Sequence, residues 1–129
     1  MRTPRSGGKI LIECLINQGV TTAFGVPGES YLDVLNALYD VQNRLRMVVT
    51  RHEGGAAFMA EAYGKLTGTP GICFVTRGPG ATNASIGVHT AMQDSSPMIL
   101  FVGQIGRGMR DREAFQEIDY RAFFGDIAK

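Results

Sequence analysis

The chain has 129 residues, of which 44% are hydrophobic and 19% charged, and its formal net charge is +1. This balance is ordinary for one globular domain with a real core, and it argues against a nucleic-acid-binding surface. No apolar stretch approaches the roughly 20 residues that a membrane span needs. Cys14 and Cys73 lie in apolar runs, as reduced core thiols of a cytoplasmic protein do. His52 and His89 are far apart and no metal-ligand spacing occurs, so we predict no metal site in this chain.

Helical and strand patterns alternate along the chain. We expect a disordered lead at residues 1–7 and one domain at residues 8–129. The predicted order is a helix capped by Ser6, a strand at 22–24, a helix capped by Ser30, a strand at 46–50, a helix after Glu53, a strand at 72–75, a helix at 81–92 and a strand at 98–102. The last stretch, residues 114–129, has a helical pattern around Ile118, Phe123 and Phe124. Such alternation with short connections predicts an α/β fold, an open parallel sheet with helices on both faces. In the helix after Glu53, the spacing of Phe58, Ala62 and Leu66 predicts one apolar face.

Unusual residues follow each predicted strand. They are glycine-rich or polar segments at residues 25–28, 51–53, 76–80 and 103–104. Because the carboxyl ends of parallel strands share one edge of a sheet, where open α/β sheets hold ligands, we predict a binding crevice there. The glycines in these segments are expected to let a ligand touch the backbone.

Glu53 is the candidate catalytic residue. It follows the apolar run at 47–49, which predicts a buried carboxyl, and it precedes Gly54, Gly55, Ala56 and Ala57, which present almost no bulk. The structural alternative is a helix-start acid stabilised by the helix dipole, worth about 0.3–1 kcal/mol. The glycines cost helix stability, which a purely structural cap does not need. Burial favours the neutral form of a carboxyl, which can donate a hydrogen bond to a ring nitrogen.

Residues 78–83 begin a helix and can also be interpreted as a phosphate cradle. No Lys-Ser or Lys-Thr follows these glycines, which excludes a nucleotide P-loop, and no Gly-x-Gly-x-x-Gly follows a strand. Asn83 can be a plain helix-start residue, and we interpret His52 and His89 as structural. The polar stretch around Phe115 is interpreted as a helix edge on sequence alone.

Together these segments resemble the thiamine-diphosphate-dependent enzymes, and most closely their acetolactate synthase branch. The matching segments lie in order from Gly8 onward, at residues 24–28, 51–53, 60–64, 71–73, 78–83, 94–98, 103–104 and 114–117. The resemblance implies a flavodoxin-like, pyrimidine-binding N-terminal domain, incomplete at its C-terminus. It implies a 2-keto-acid carboligase that decarboxylates a pyruvate-like donor and transfers the rest to a carbonyl acceptor. A decarboxylase or lyase of the same superfamily, or a non-catalytic module that retains the fold, remains an alternative.

The resemblance also implies roles for single residues. Glu53 matches the family glutamate that hydrogen-bonds nitrogen N1′ of the cofactor's pyrimidine ring and assists removal of the thiazolium C2 proton. The other implied cofactor-binding positions are Val26, Pro27, Gly28, Thr76, Pro79, Asn83 and Gln116. Gln116, with no His-His pair nearby, argues against the pyruvate decarboxylase branch. Two positions depart from the family pattern, Arg77 where serine is common and Glu29 where glycine is usual, and either change can alter substrate choice.

The remaining implications concern parts outside this chain. In the family, the diphosphate and Mg²⁺ bind a separate C-terminal domain with a Gly-Asp-Gly…Asn motif, and residues 125–127 do not match that motif. The resemblance therefore implies a truncated domain that is inactive alone and needs the diphosphate-binding domain of a second subunit, in a homodimer or homotetramer. FAD is bound elsewhere in some relatives. The expected substrate is a small 2-keto acid, with no nucleic acid or membrane as partner, in the cytoplasm.

Overall fold

The computed structural model describes residues 4–129, and residues 1–3 of the predicted lead lie outside the described residues. Helix α1 begins at Gly7, where Ser6 caps it by accepting a hydrogen bond from the Lys9 amide. The elements are α1 (Gly7–Asn17), β1 (Thr22–Gly25), α2 (Leu32–Asp40), β2 (Arg46–Val49), α3 (Glu53–Thr67), β3 (Gly71–Val75), α4 (Gly78–Asp94), β4 (Met98–Val102) and α5 (Tyr120–Phe124), with short 3-10 turns at Glu29–Tyr31 and Arg107–Met109.

The four strands form one parallel sheet in the order β2-β1-β3-β4. Gly25, the last residue of β1, is in register with Val49 of β2 on one side and with Phe74 of β3 on the other. The predicted open parallel sheet is confirmed. Strand order reverses direction between β1 and β3, and such a switch point is where ligands bind in open α/β sheets.

Helices α1 and α2 cover one face of the sheet, which we call the large-residue face. Its core holds Ile12 and Leu15 of α1 and Leu38 of α2 against Ile72 and Phe74 of β3. Phe74 also stacks on Phe101 of β4, with ring centroids 4.9 Å apart. Bulky side chains fill the space between these helices and the sheet.

Helices α3 and α4 cover the opposite face, which we call the small-residue face. In the core of this face, the two helices contribute alanines and the strands contribute larger residues. The alanines are Ala56, Ala57, Ala60 and Ala84, and they pack with Phe24, Cys73 and Val75 of the strands. Successive residues of β3 alternate between the two faces, and all five are buried. This confirms the prediction that β3 is covered on both sides.

The predicted apolar face of α3 does not face the sheet. Phe58 and Ala62 are exposed, and Leu66 is 86% exposed. The helix lies too close to the sheet for large residues, because a Cβ added to Gly64 would lie 2.0 Å from the Pro97 carbonyl oxygen. Close packing of small residues thus overrides the hydrophobic spacing.

Two further predictions of burial, for the end of β2 and for Cys14, were wrong. Strand β2 is at the edge of the sheet, so Val49 is 61% exposed rather than buried. Cys73 is buried as expected, but Cys14 lies on the exposed side of α1. An apolar neighbourhood in the sequence does not show which side of an element a residue occupies.

Candidate active site

The segments that follow the four strands meet at the carboxyl edge of the sheet, as predicted. The Thr50 amide donates to the Gly25 carbonyl at 3.0 Å, which joins the ends of β2 and β1. The Val26 amide donates to the Phe74 carbonyl at 3.3 Å, and the Gly103 amide to the Val75 carbonyl at 2.9 Å. Backbone hydrogen bonds therefore link all four strand ends into one edge.

Glycines at this edge mostly bring the chain's own loops together. A Cβ added to Gly28 would lie 2.6 Å from the Thr76 Cβ, and one added to Gly103 would lie 1.8 Å from the Ser30 Oγ. At both positions the missing side chain makes room for the chain's own loops, and contact of their backbone with a ligand stays a prediction. Gly55 differs, since an added Cβ would meet nothing within 4 Å.

Glu53 is the first residue of α3, directly beyond the end of β2. His52 caps this helix, with its Nδ1 accepting from the Gly54 amide at 3.0 Å, so its structural interpretation holds. The Glu53 carboxyl is half-buried, less than predicted, because β2 is an edge strand. The Asn83 Nδ2 donates to Glu53 Oε2 at 2.9 Å. Glu53 Oε1 has no hydrogen-bond partner among residues 4–129.

Ser30 does not cap a helix, contrary to its prediction. It lies in the 3-10 turn, and Tyr31 instead occupies the N-cap position of α2 without a side-chain capping bond. The Ser30 Oγ lies 2.9 Å from the Thr76 Oγ1, a hydrogen bond between the β1 and β3 ends. Helix-start statistics identify a polar residue here, but they do not distinguish a cap from a bond across the sheet edge.

Tyr31 is a residue that the sequence did not single out. Its hydroxyl donates to the Val26 carbonyl oxygen, and its ring stacks on Phe74. Burial raises the pKa of Tyr31, and the nearby Cys73 and Glu53 raise it further. The phenol therefore remains a neutral donor that holds the loop after β1. The only feature of the sequence that could have pointed to Tyr31 is the position of this aromatic residue, directly after a polar turn that follows a strand.

Cys73 lies in β3 beneath this edge and is fully buried. Burial raises the pKa of its thiol to about 12, and the negative charge of Glu53 adds to the effect. The thiol stays protonated near neutral pH, which excludes it as a nucleophile. The negative charge of Glu53 is thus a minor cause of the raised pKa of both Tyr31 and Cys73.

Gln116 reaches the edge through its backbone. It has a positive φ of 67°, and its carbonyl oxygen accepts from the Gly78 amide at 2.9 Å, next to Pro79. A Cβ on Gly78 would lie 2.8 Å from that oxygen, so only glycine permits this approach. The Glu117 carboxylate secures the same loop by accepting from the amides of Asp111 and Ala114 at 2.9 and 3.2 Å.

The structure thus places all of the predicted cofactor-binding positions at one edge, but in separate contacts. Gly28 lies against Thr76, and Glu53 accepts a hydrogen bond from Asn83. The Gln116 carbonyl accepts from the amide of Gly78, the residue before Pro79. The Val26 carbonyl accepts from the Tyr31 hydroxyl, and Pro27 is exposed.

A large groove lies elsewhere. Its volume is about 1100 Å³, and it runs between β4, the end of α4 and the last residues of the chain, including Tyr120 and Phe124. None of the predicted site positions lines it. Within residues 4–129, no three His, Cys, Asp or Glu side chains lie where they could hold a metal ion. No helix in the described part is long and apolar enough to cross a membrane.

Comparison with known proteins identifies close relatives. The family model described as "Thiamine pyrophosphate enzyme, N-terminal TPP binding domain" matches residues 5–123. An acetolactate synthase of Bacillus subtilis (strain 168) is 42% identical over 123 residues, which cover 95% of this chain and 21% of that protein. An acetolactate synthase large subunit of Buchnera aphidicola subsp. Schizaphis graminum is 44% identical, covering 96% of the chain and 22% of that protein. A chloroplastic acetolactate synthase of Arabidopsis thaliana is 45% identical, covering 88% and 17%. The chain thus spans about a fifth of the length of these relatives.

Proposed function

We propose a function from the premise that this chain belongs to the thiamine pyrophosphate enzymes, as their N-terminal TPP binding domain. The enzyme that contains it is proposed to be a thiamine-diphosphate-dependent carboligase resembling acetolactate synthase, which decarboxylates a small 2-keto acid such as pyruvate and transfers the remainder to a carbonyl acceptor. The names of the relatives support this reaction class. The observation that carries the proposal is Glu53 at the sheet edge, fixed through one oxygen by Asn83.

The residues present fit the pyrimidine end of thiamine diphosphate. A flat aminopyrimidine needs a hydrogen-bonding carboxyl for its ring nitrogen and a wall with little bulk. Glu53 Oε1 has no partner among the described residues, and Gly55, two residues further along α3, adds no bulk at its own position. Val26 adds an apolar contact whose position is fixed by the Tyr31 hydrogen bond.

In the proposed mechanism, this chain's residues position and move protons. When bound, thiamine diphosphate supplies a nucleophilic carbon, C2 of its thiazolium ring. Glu53 Oε1 would share a proton with nitrogen N1′ of the bound pyrimidine, which is general acid–base assistance. Asn83 fixes the other oxygen, so the carboxyl keeps one orientation. Gln116, held at the start of α4, lies on the side of the edge that we assign to the substrate.

The other parts of the proposal lie outside the chain. The diphosphate and Mg²⁺ are proposed to bind the diphosphate-binding domain of a second subunit in a homodimer or homotetramer. Exposed apolar side chains on α3 and α4, among them Phe58, Leu66 and Ile86, support such an interface. The cytoplasmic location stays a prediction, and one relative is named as chloroplastic.

Glu53→Gln in the full-length enzyme tests the central residue. Gln cannot hold the exchanging proton, so we expect the exchange of the C2 proton of bound thiamine diphosphate, followed by NMR, to slow by about 100- to 10,000-fold. Asn83→Ala removes one orienting hydrogen bond and should slow the exchange by only about 10-fold.

Glu13→Gln is the matched control, because Glu13 lies on α1 and, among residues 4–129, its side chain pairs with Arg5 alone. It should exchange at the wild-type rate. Wild-type exchange in Glu53→Gln would contradict the assignment of Glu53.

The products formed from pyruvate distinguish the reaction classes. The wild-type enzyme should form acetolactate, the product of transfer to a second pyruvate. Acetaldehyde without acetolactate would replace the proposed carboligase with a decarboxylase.

A further inference from the structure

Arg77 stands between the end of β3 and the start of α4, on the edge that carries the proposed site. Its Nη1 donates to the Phe115 carbonyl oxygen at 3.3 Å. The next residue, Gly78, donates its amide to the Gln116 carbonyl at 2.9 Å. Two consecutive residues of the β3–α4 turn therefore hold two consecutive carbonyls of another loop.

The loop that they hold is conformationally strained. Asp111, Glu113 and Gln116 all have positive φ, at 61°, 54° and 67°. Non-glycine residues adopt this region at a cost in conformational energy, and they persist in it where surrounding contacts impose it. The Glu117 carboxylate accepts two hydrogen bonds from backbone amides within the loop. Arg77 and Gly78 donate to two of the loop's carbonyls and thereby attach the loop to the end of β3.

The guanidinium itself is incompletely satisfied. Its Nε is buried and has no hydrogen-bond partner among residues 4–129. A buried donor without a partner costs stability, so the residue is not explained by stability alone. Serine, common at this position in the family that the sequence resembles, is too short to reach the Phe115 carbonyl.

The held loop presents Phe115 and Gln116 at the sheet edge. The Phe115 side chain is 75% exposed, although its backbone carbonyl is held by Arg77. A fixed backbone with a free aromatic side chain is the arrangement expected of a wall that a ligand completes.

We infer that Arg77 is a positioning residue, which sets the place of Phe115 and Gln116 as the 2-keto-acid-facing wall of the site without touching the reacting atoms. This inference rests on the proposed function. Glu53 and Asn83, by contrast, serve the pyrimidine side, so the two halves of the edge are separable by mutation.

Arg77→Ser in the full-length enzyme tests the inference with two independent measurements. Without the bond to Phe115 the loop should loosen, so amide hydrogen exchange of peptides covering 111–117 should accelerate in both apo and loaded enzyme. The KM for pyruvate should rise by about 10-fold, the value expected for one lost positioning hydrogen bond. The exchange rate of the cofactor C2 proton should stay at the wild-type value. Arg77→Lys keeps a charged donor, so its KM for pyruvate should lie between the values of the wild type and Arg77→Ser.

Arg112→Ser is the control, since Arg112 is an exposed residue of the same loop whose side chain makes no hydrogen bond within residues 4–129. It should leave both measurements unchanged. The inference is overturned if amide hydrogen exchange or the KM for pyruvate is unchanged in Arg77→Ser. It is also overturned if C2 proton exchange slows by as much as the KM rises, because that result would indicate a general distortion of the site. If the wild-type enzyme consumes no 2-keto acid, the proposed function fails instead, and so does the assignment of this wall to a 2-keto acid.

Discussion

The two faces of the sheet are built by opposite means. On the large-residue face, Ile12, Leu38 and Phe74 fill the space between helices and strands. On the small-residue face, alanines and glycines let α3 and α4 approach each other and the sheet, with Gly64 and Gly87 at points where no Cβ fits. The first face gains stability from buried apolar area, and the second gains precise backbone positions.

The candidate site belongs to the small-residue face. Glu53 begins α3 and Asn83 lies in the second turn of α4, so their 2.9 Å hydrogen bond depends on how closely these helices pack. A Cβ added to Gly87, one turn beyond Asn83, would lie 2.5 Å from the Ala57 Cβ. The small residues are therefore expected to serve catalytic geometry, while the large residues serve stability.

The largest effect on stability should come from truncating the large-residue face. Ile12→Ala removes a fully buried side chain and leaves a cavity, so we expect a loss of about 2–5 kcal/mol in the free energy of unfolding, measured by urea denaturation. Ile12→Val should cost only about 0.5–1.5 kcal/mol. Neither variant should change the C2 proton exchange rate of correctly folded enzyme. A slowed rate would show that the two faces are not separate in function.

A smaller loss of stability, but a larger loss of function, should follow from enlarging the small-residue face. Gly87→Ala forces α4 away from Ala57, and overpacking of this kind costs about 1–3 kcal/mol. The same shift should stretch the bond between Glu53 and Asn83 and slow C2 proton exchange.

Gly55→Ala is the stability control, because its added Cβ meets nothing within 4 Å. It should gain up to about 1 kcal/mol from helix propensity. If Gly87→Ala is as stable and as fast in exchange as the wild type, the small-residue face does not set the geometry of Glu53.

Much of the fold could be predicted because its signals are local. Alternating elements and glycine-rich strand ends predict a parallel sheet with one shared edge, and the structure confirms both. The burial of α3 could not be predicted, since the spacing of Phe58, Ala62 and Leu66 is helical on whichever side it lies. Which side faces the sheet is decided by Gly64 against Pro97, a contact between residues distant in the sequence.

The site followed the same division. The position of Glu53 at a strand end was predictable, but its partner was not, because the Asn83 bond arises from packing of two helices. Ser30 and Tyr31 were missed as edge residues, since their bonds to Thr76 and Val26 depend on the order of β1 and β3 in the sheet. Local patterns identify candidate residues, and topology selects their partners.

The smallest expected effect is a pH dependence that originates on the small-residue face. The pKa of the buried Cys73 thiol is raised from 9.0 to about 12, so the folded state keeps a proton that the unfolded state releases. A raised pKa in the folded state means that this contribution to stability is complete below pH 9 and is lost as the pH rises toward 12. Between pH 8 and pH 10 the loss amounts to about 1 kcal/mol. Cys73→Ala and Cys73→Val cannot ionise, so their free energies of unfolding should fall less than that of the wild type over the same interval. If the free energies of unfolding of all three proteins fall in parallel with pH, water reaches Cys73 in the folded state. The close packing of α3 and α4 would then not exclude water from the sheet beneath Glu53.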